Sequence, residues 1–147
     1  MHLPDEASAH ALGAQLAARL QPGDVVALSG PLGAGKTSIA RGVLAALGLD
    51  GEAPSPSFAI VQPYDPPEVR MSVLHVDLYR IEDPEEALEL GLDEARNDAA
   101  LLVEWPERLG EDPWPDALWL TLAFDDAGGR RLTARVPGAW ETRWPLT

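Results

Sequence analysis

Residues 29–38 read SGPLGAGKTS: a glycine, four residues, then Gly-Lys-Thr. A loop of this spacing wraps tightly enough for several backbone N–H groups to point at a polyphosphate, provided no Cβ stands in the way. Gly30, Gly33 and Gly35 supply that freedom. Upstream, DVVALS (24–29) is a short apolar run rich in β-branched residues, as a buried strand requires. Downstream, Ile39, Val43, Leu44 and Leu47 recur at helical spacing before Gly48. The motif therefore sits in a strand–loop–helix setting. A helix N-terminus there adds about half a positive charge where phosphates would lie. In such a P-loop Lys36 reaches the β- and γ-phosphate oxygens, and the Thr37 hydroxyl ligates Mg²⁺. Gly33, Ala34, Gly35, Lys36, Thr37 and Ser38 are the residues expected around the phosphates of a bound nucleotide.

The charge balance runs against this expectation everywhere else. Eleven basic residues face 24 acidic ones across 147 residues, a net charge of −13, and ten of the eleven are arginine. Lys36 is the only lysine. A compact ammonium suits a crowded phosphate cradle where a planar guanidinium does not. Nucleic-acid binders carry a basic stripe, so this chain is expected to repel DNA and to meet RNA only through a partner. With no cysteine, disulfides, thiolate nucleophiles and Cys-ligated zinc are excluded. MHLPDEASAH at the start has no apolar signal region, and no run approaches the ~18 apolar residues of a membrane span. The expectation is a soluble cytoplasmic protein with no membrane contact.

The remaining pattern alternates strands and helices. Residues 6–20 carry a Leu12, Leu16, Leu20 stripe and predict a helix ended by Pro22-Gly23. SFAIVQPY (57–64) and MSVLHVDLYR (71–80) predict a hairpin, DPEEALELG (83–91) a short helix, and ALLVEW (100–105) a buried strand. ALWLTLAF (117–124) and RRLTARVP (130–137) flank Asp-Ala-Gly-Gly and predict a second hairpin. Together they predict an α/β fold of the P-loop NTPase kind: one domain over residues 1–147, with a mixed, largely parallel sheet flanked by helices.

Hydrolysis needs an acid for Mg²⁺ and a group that orients water. VLHVD (73–77) and ALLVE (100–104) are apolar runs that each end in an acid. If their strands neighbour 24–29, Asp77 and Glu104 converge with Gly30 on the crevice beyond the strands' carboxyl ends. The loop APSPSF (53–58) is stiffened by Pro54 and Pro56 and offers the Ser55 and Ser57 hydroxyls, as a segment sensing the γ-phosphate would. His75 reads as structural, Trp105 as a neighbour of the nucleotide, and Ser8 and Arg130 as candidate contacts to the nucleotide away from the phosphates.

These blocks carry a resemblance. SGPLGAGKTS, SPSF (55–58), HVDLYR (75–80) and VEWPE (103–107) follow the order and spacing of the TsaE family, small P-loop ATPases of the YjeE type that act in bacterial tRNA threonylcarbamoyladenosine biosynthesis. The matching blocks span roughly residues 25–107. The resemblance implies work with two partners, TsaB and TsaD, on the adenosine next to the tRNA anticodon, with ATP hydrolysis resetting the complex and tRNA met only indirectly. It implies that Lys36 and the loop amides hold ATP, that Thr37 and Glu104 hold Mg²⁺, and that Asp77, with Lys36, serves hydrolysis. The family's usual threonines are Ser57 and Ser38 here, which keep the hydroxyl and lose the methyl.

Two other readings compete. A small-molecule kinase would use the same P-loop, but the segments after Glu104 are short and Pro-rich, with little chain for an acceptor domain. A GTPase-like regulator would need an Asn-Lys-x-Asp loop, and the sole lysine is already committed. No arginine lies in the P-loop, and Arg41 and Arg80 have no clear route to a γ-phosphate, so hydrolysis by the lone chain is expected to be slow.

Overall fold

The computed structural model describes residues 1–54, 56, 60–110 and 112–145. Among the described residues, seven strands form one sheet: β1 (His2–Leu3), β2 (Val25–Ser29), β3 (Val61–Tyr64), β4 (Val73–Asp77), β5 (Ala100–Glu104), β6 (Leu118–Phe124) and β7 (Arg130–Arg135). Their spatial order is β1-β7-β6-β2-β5-β4-β3. The four central strands β6, β2, β5 and β4 run parallel. Both edges are antiparallel: β3 folds back on β4, and β7 on β6, with β1 beyond it. The expected mixed, largely parallel sheet is thus observed, with both hairpins.

Alternation along the strands assigns the two faces. Val26, Leu28, Leu102, Leu118 and Leu120 join one core with Leu12 and Leu16 of α1 (Glu6–Ala17) and Ile39, Val43 and Leu44 of α2 (Lys36–Ala46). Val25, Leu101, Val103 and Val76 join a smaller core on the other face with Leu78, Leu92 and Trp114. The two helices meet backbone to backbone through glycines. A Cβ on Gly13 would stand 2.1 Å from the Ile39 carbonyl oxygen, and one on Gly42 would stand 2.0 Å from that of His10. Both glycines are there for close approach, which helical periodicity alone does not reveal.

Several boundaries differ from the sequence expectation. The first helix ends at Ala17, before the Leu20 that its stripe included. The expected helix at 83–91 is a 3₁₀ helix, Pro84–Leu90, closed by Gly91 at φ 65°, after which α3 (Leu92–Ala95) adds one α-turn. Asp83 caps that 3₁₀ helix by accepting from the Glu85 N–H. Strand β1 was not expected; two residues are too short to show a period, and it forms because β7 offers a free edge. Residues 57–59 of the expected 57–64 strand lie outside the described residues. No helix among the described residues is long and apolar enough to cross a membrane.

Candidate functional site

The carboxyl edge of the parallel strands holds a cavity of about 380 Å³. Strand β2 delivers its end, Ser29, to Gly30, whose φ of 141° and approach to the Leu122 carbonyl, 2.6 Å from a would-be Cβ, exclude a side chain. Gly35 turns the chain at φ 111° directly into α2, so the helix opens on the cavity at Lys36. Gly33, Ala34, Gly35, Lys36, Thr37 and Ser38 all line that cavity, with Asp77, Glu104, Trp105 and Arg130 around them.

Register explains why the two acids arrive together. Asp77 and Glu104 are directly paired across β4 and β5, and Glu104 is paired with Leu28 across β2. Both are almost fully buried. The Thr37 hydroxyl donates to Glu104 Oε1 at 2.8 Å. Asp77 Oδ1 accepts the Tyr79 backbone N–H at 2.9 Å. A threonine hydroxyl and a carboxylate oxygen side by side form a hard oxygen pair that fits Mg²⁺, which takes one or two protein ligands and completes its shell with phosphate and water. The described residues contain no cluster of three acidic, His or Cys side chains able to hold a metal by themselves. That donor set suits a cation that arrives with a polyphosphate.

Lys36 is only 4% exposed. Its Nζ donates to the carbonyls of Gly30 and of Pro31 (3.1 Å for the latter) and lies 3.9 Å from the centroid of the Trp105 ring. Burial lowers its pKa below the ordinary 10.5, against the pull of the Glu104, Glu107 and Asp77 carboxylates. Trp105 adopts φ 60°, a left-handed conformation uncommon for a residue with a Cβ, and its N–H donates to the Leu28 carbonyl at 3.2 Å. Such outliers cluster at functional sites. Here the turn sets the indole against Lys36.

The far side of the cavity is built differently. Arg130, at the start of β7, donates to the Ala34 carbonyl from Nε at 3.1 Å and to the Gly33 carbonyl at 3.2 Å, with its guanidinium over Phe124. Asp5, Glu6 and Ala9 complete the lining, and Glu6 Oε1 accepts the Ser38 hydroxyl at 3.0 Å. Ser8 does not line the cavity. Its hydroxyl closes the capping box of α1, accepting the Asp5 N–H while Asp5 Oδ1 accepts the Ser8 N–H. Ser55 and Ser57 of the 53–58 loop lie outside the described residues.

Sequence reasoning missed three neighbours. Glu6 looks like an ordinary first-turn acid, and nothing local ties it to a hydroxyl 32 positions away. Glu107 accepts the Ser29 hydroxyl at 3.0 Å. His75, taken as structural, stands 2.7 Å from Glu104 Oε2; the signal available was its place two residues before Asp77 in a buried strand.

A family model described as "Threonylcarbamoyl adenosine biosynthesis protein TsaE" matches residues 3–132. The tRNA threonylcarbamoyladenosine biosynthesis protein TsaE of Streptomyces coelicolor is 38% identical over 136 residues, covering 90% of this chain and 91% of that protein. Its namesake from Mycobacterium tuberculosis is 41% identical over 107 residues, which cover 68% of this chain and 64% of that protein, less than two thirds of its length. Among solved structures, the Bacillus protein YdiB superposes with a TM-score of 0.77 at 28% identity, covering 94% of this chain and 84% of that one.

Proposed function

This chain belongs to the TsaE family, and from that premise we propose that it binds and hydrolyses ATP with Mg²⁺ in the cytoplasm, as a subunit required to form the threonylcarbamoyl group on the tRNA adenosine next to the anticodon. Its ATP state acts as a switch on a complex of TsaB and TsaD, and tRNA is met only through them.

The observation that carries the reading is the Thr37 hydroxyl set 2.8 Å from Glu104 Oε1 at the mouth of the P-loop. Gly33, Ala34, Gly35 and Ser38 contribute loop and first-turn amides to the phosphates. Lys36 exchanges its bonds to the Gly30 and Pro31 carbonyls for phosphate oxygens, whose negative charge favours the ammonium that burial disfavours. Thr37 and Glu104 hold Mg²⁺, whose chemistry is to neutralise charge developing on the phosphates. Asp77, one strand over, orients the attacking water or accepts its proton. Arg130 steadies the nucleotide side of the loop, and Ser8 contributes through the α1 cap that fixes the cavity's rim.

The net charge of −13 supports the indirect route to tRNA, because phosphate-backbone contacts supply essentially all of non-specific affinity for nucleic acid. The test is a steady-state ATPase assay with and without TsaB and TsaD, beside a tRNA gel shift at about 0.1 M salt. Slow turnover alone, acceleration by the partners and no shift are expected. A fast lone ATPase or a tight shift by the chain alone contradicts the proposal.

A further inference from the structure

His75 sits in the middle of β4 (Val73–Asp77), paired with Leu102 of β5 on one side and Gln62 of β3 on the other. It is completely buried. Its Nε2 lies 2.7 Å from Glu104 Oε2, while Glu104 Oε1 accepts the Thr37 hydroxyl at 2.8 Å. The carboxylate is thus held by both oxygens, one toward the sheet interior and one toward the cavity. An imidazole nitrogen that close to a carboxylate oxygen is the donor.

The other ring nitrogen, Nδ1, is buried with no hydrogen-bond partner among the described residues. A buried polar atom without a partner costs free energy that an apolar side chain at the same place would not. What the histidine adds over such a side chain is the Nε2 contact alone. A glutamate has three rotatable side-chain bonds, and a single hydroxyl at its tip leaves several rotamers open. A second anchor behind it removes them before any ligand arrives.

We propose that His75 is a positioning residue for Glu104: the Nε2–H bond fixes the carboxylate so that Oε1 stands beside the Thr37 hydroxyl, ready for a divalent cation. The inference rests on the reading of the cavity as a Mg²⁺–nucleotide site. It gives this histidine the role that outer-shell partners have at metal sites, where their loss commonly costs 10–100-fold in metal affinity or activity.

The experiment measures affinity for a non-hydrolysable ATP analogue by calorimetry, with Mg²⁺ and with EDTA, and takes the ratio. His75→Leu is expected to lower that ratio about 10–100-fold while leaving affinity in EDTA near wild type. His75→Gln, whose side-chain amide nitrogen falls near the Nε2 position, is expected to keep most of the ratio, and His75→Asn, whose nitrogen falls near Nδ1, to lose it. In the background of Glu104→Gln, His75→Leu is expected to change the ratio no further. Equal losses with and without Mg²⁺ reveal a merely structural role and overturn the proposal, as does an unchanged ratio. If the leucine variant does not fold, the glutamine and asparagine variants decide, and equal ratios for the two overturn it. Wild-type binding that ignores Mg²⁺ overturns the reading of the cavity itself, along with this inference.

Discussion

The two ends of the cavity are made by different means. At the buried end, Lys36, Asp77 and Glu104 are each buried, and their positions follow from strand register and one helix start. At the rim, Asp5, Glu6 and Leu32 are exposed and Arg130 is only partly covered, and they come from a helix cap, a loop tip and a hairpin. Side chains fixed by a parallel sheet cannot move without disturbing the core, whereas those at the rim can be exchanged with little cost. The proposed phosphate and Mg²⁺ chemistry falls in the rigid end, and the proposed contacts away from the phosphates fall in the adjustable one.

The sharpest way to break this contrast is to remove the ammonium. Lys36→Ala is expected to weaken ATP·Mg²⁺ binding by about two orders of magnitude, as the loss of ~3 kcal/mol of charge-assisted bonding implies. Lys36→Arg is expected to be nearly as damaging, because a planar fork does not fit between the Gly30 and Pro31 carbonyls and the Trp105 ring. Calorimetry checks both, and wild-type affinity in the arginine variant sinks the idea of a crowded cradle.

Next in size is a split within the buried end. Glu104→Gln is expected to lower Mg²⁺-dependent binding about tenfold or more, since an amide is a poor ligand for a hard cation. Asp77→Asn is expected to leave binding within a few-fold and slow hydrolysis by about 10²–10⁴. Binding and single-turnover rates measured on both variants decide it. If Asp77→Asn loses Mg²⁺ dependence and Glu104→Gln keeps it, the two roles are exchanged.

The rim should yield less. Arg130→Ala is expected to cost about fivefold in affinity, the worth of roughly one net hydrogen bond, through the loop carbonyls it holds. Ser8→Ala is expected to leave ATP affinity within about twofold and lower stability by about 0.5–1 kcal/mol through the capping box, as thermal unfolding would record. A larger loss of affinity at Ser8 than at Arg130 reverses the contrast between cap and hairpin.

The smallest effect is one of pH. The folded-state pKa of Lys36 is depressed by burial. Between that pKa and 10.5 the Lys36 side chain binds more proton in the unfolded chain than in the folded one, so its own contribution to the stability of the nucleotide-free protein rises with pH through this window. The contribution is lost as pH falls through the folded-state pKa. Phosphates oppose the depression, so ATP binding in the same window should take up a proton and weaken as pH rises. Calorimetry in buffers of different ionisation enthalpy measures that uptake, and its persistence in Lys36→Ala assigns it elsewhere.

The buried end was legible in the sequence because its signals are local. Glycine spacing, two apolar runs ending in acids and one lysine among ten arginines point to Lys36, Asp77 and Glu104, which line one cavity, and to Gly30, whose carbonyl Lys36 reaches. Of the rim, the sequence pointed to Arg130 alone, and the contacts that hold the rim were not legible because they join distant parts of the chain. Glu6 meets Ser38, and Arg130 meets Gly33 from 97 residues away. The glycine-to-backbone contact of α1 with α2 has the same character: Gly13 and Gly42 look like helix-weakening residues until the partner helix is in place. His75 reads as structural because its place two residues before Asp77 does not say that Glu104, on the neighbouring strand, lies against its ring.

The Lys36 ammonium against the Trp105 ring has an optical consequence. Excitation of an indole shifts electron density across its two rings, so a fixed positive charge at one face tunes the colour of the emitted light. Trp105 is the only tryptophan among the residues lining the cavity. Once the ammonium leaves the ring for a phosphate, that tuning is released, and the emission should change colour on adding ATP, an effect that Trp105→Phe should abolish. If the proposed exchange occurs, the chain carries its own light-emitting gauge of whether its one lysine is bound to protein or to ligand.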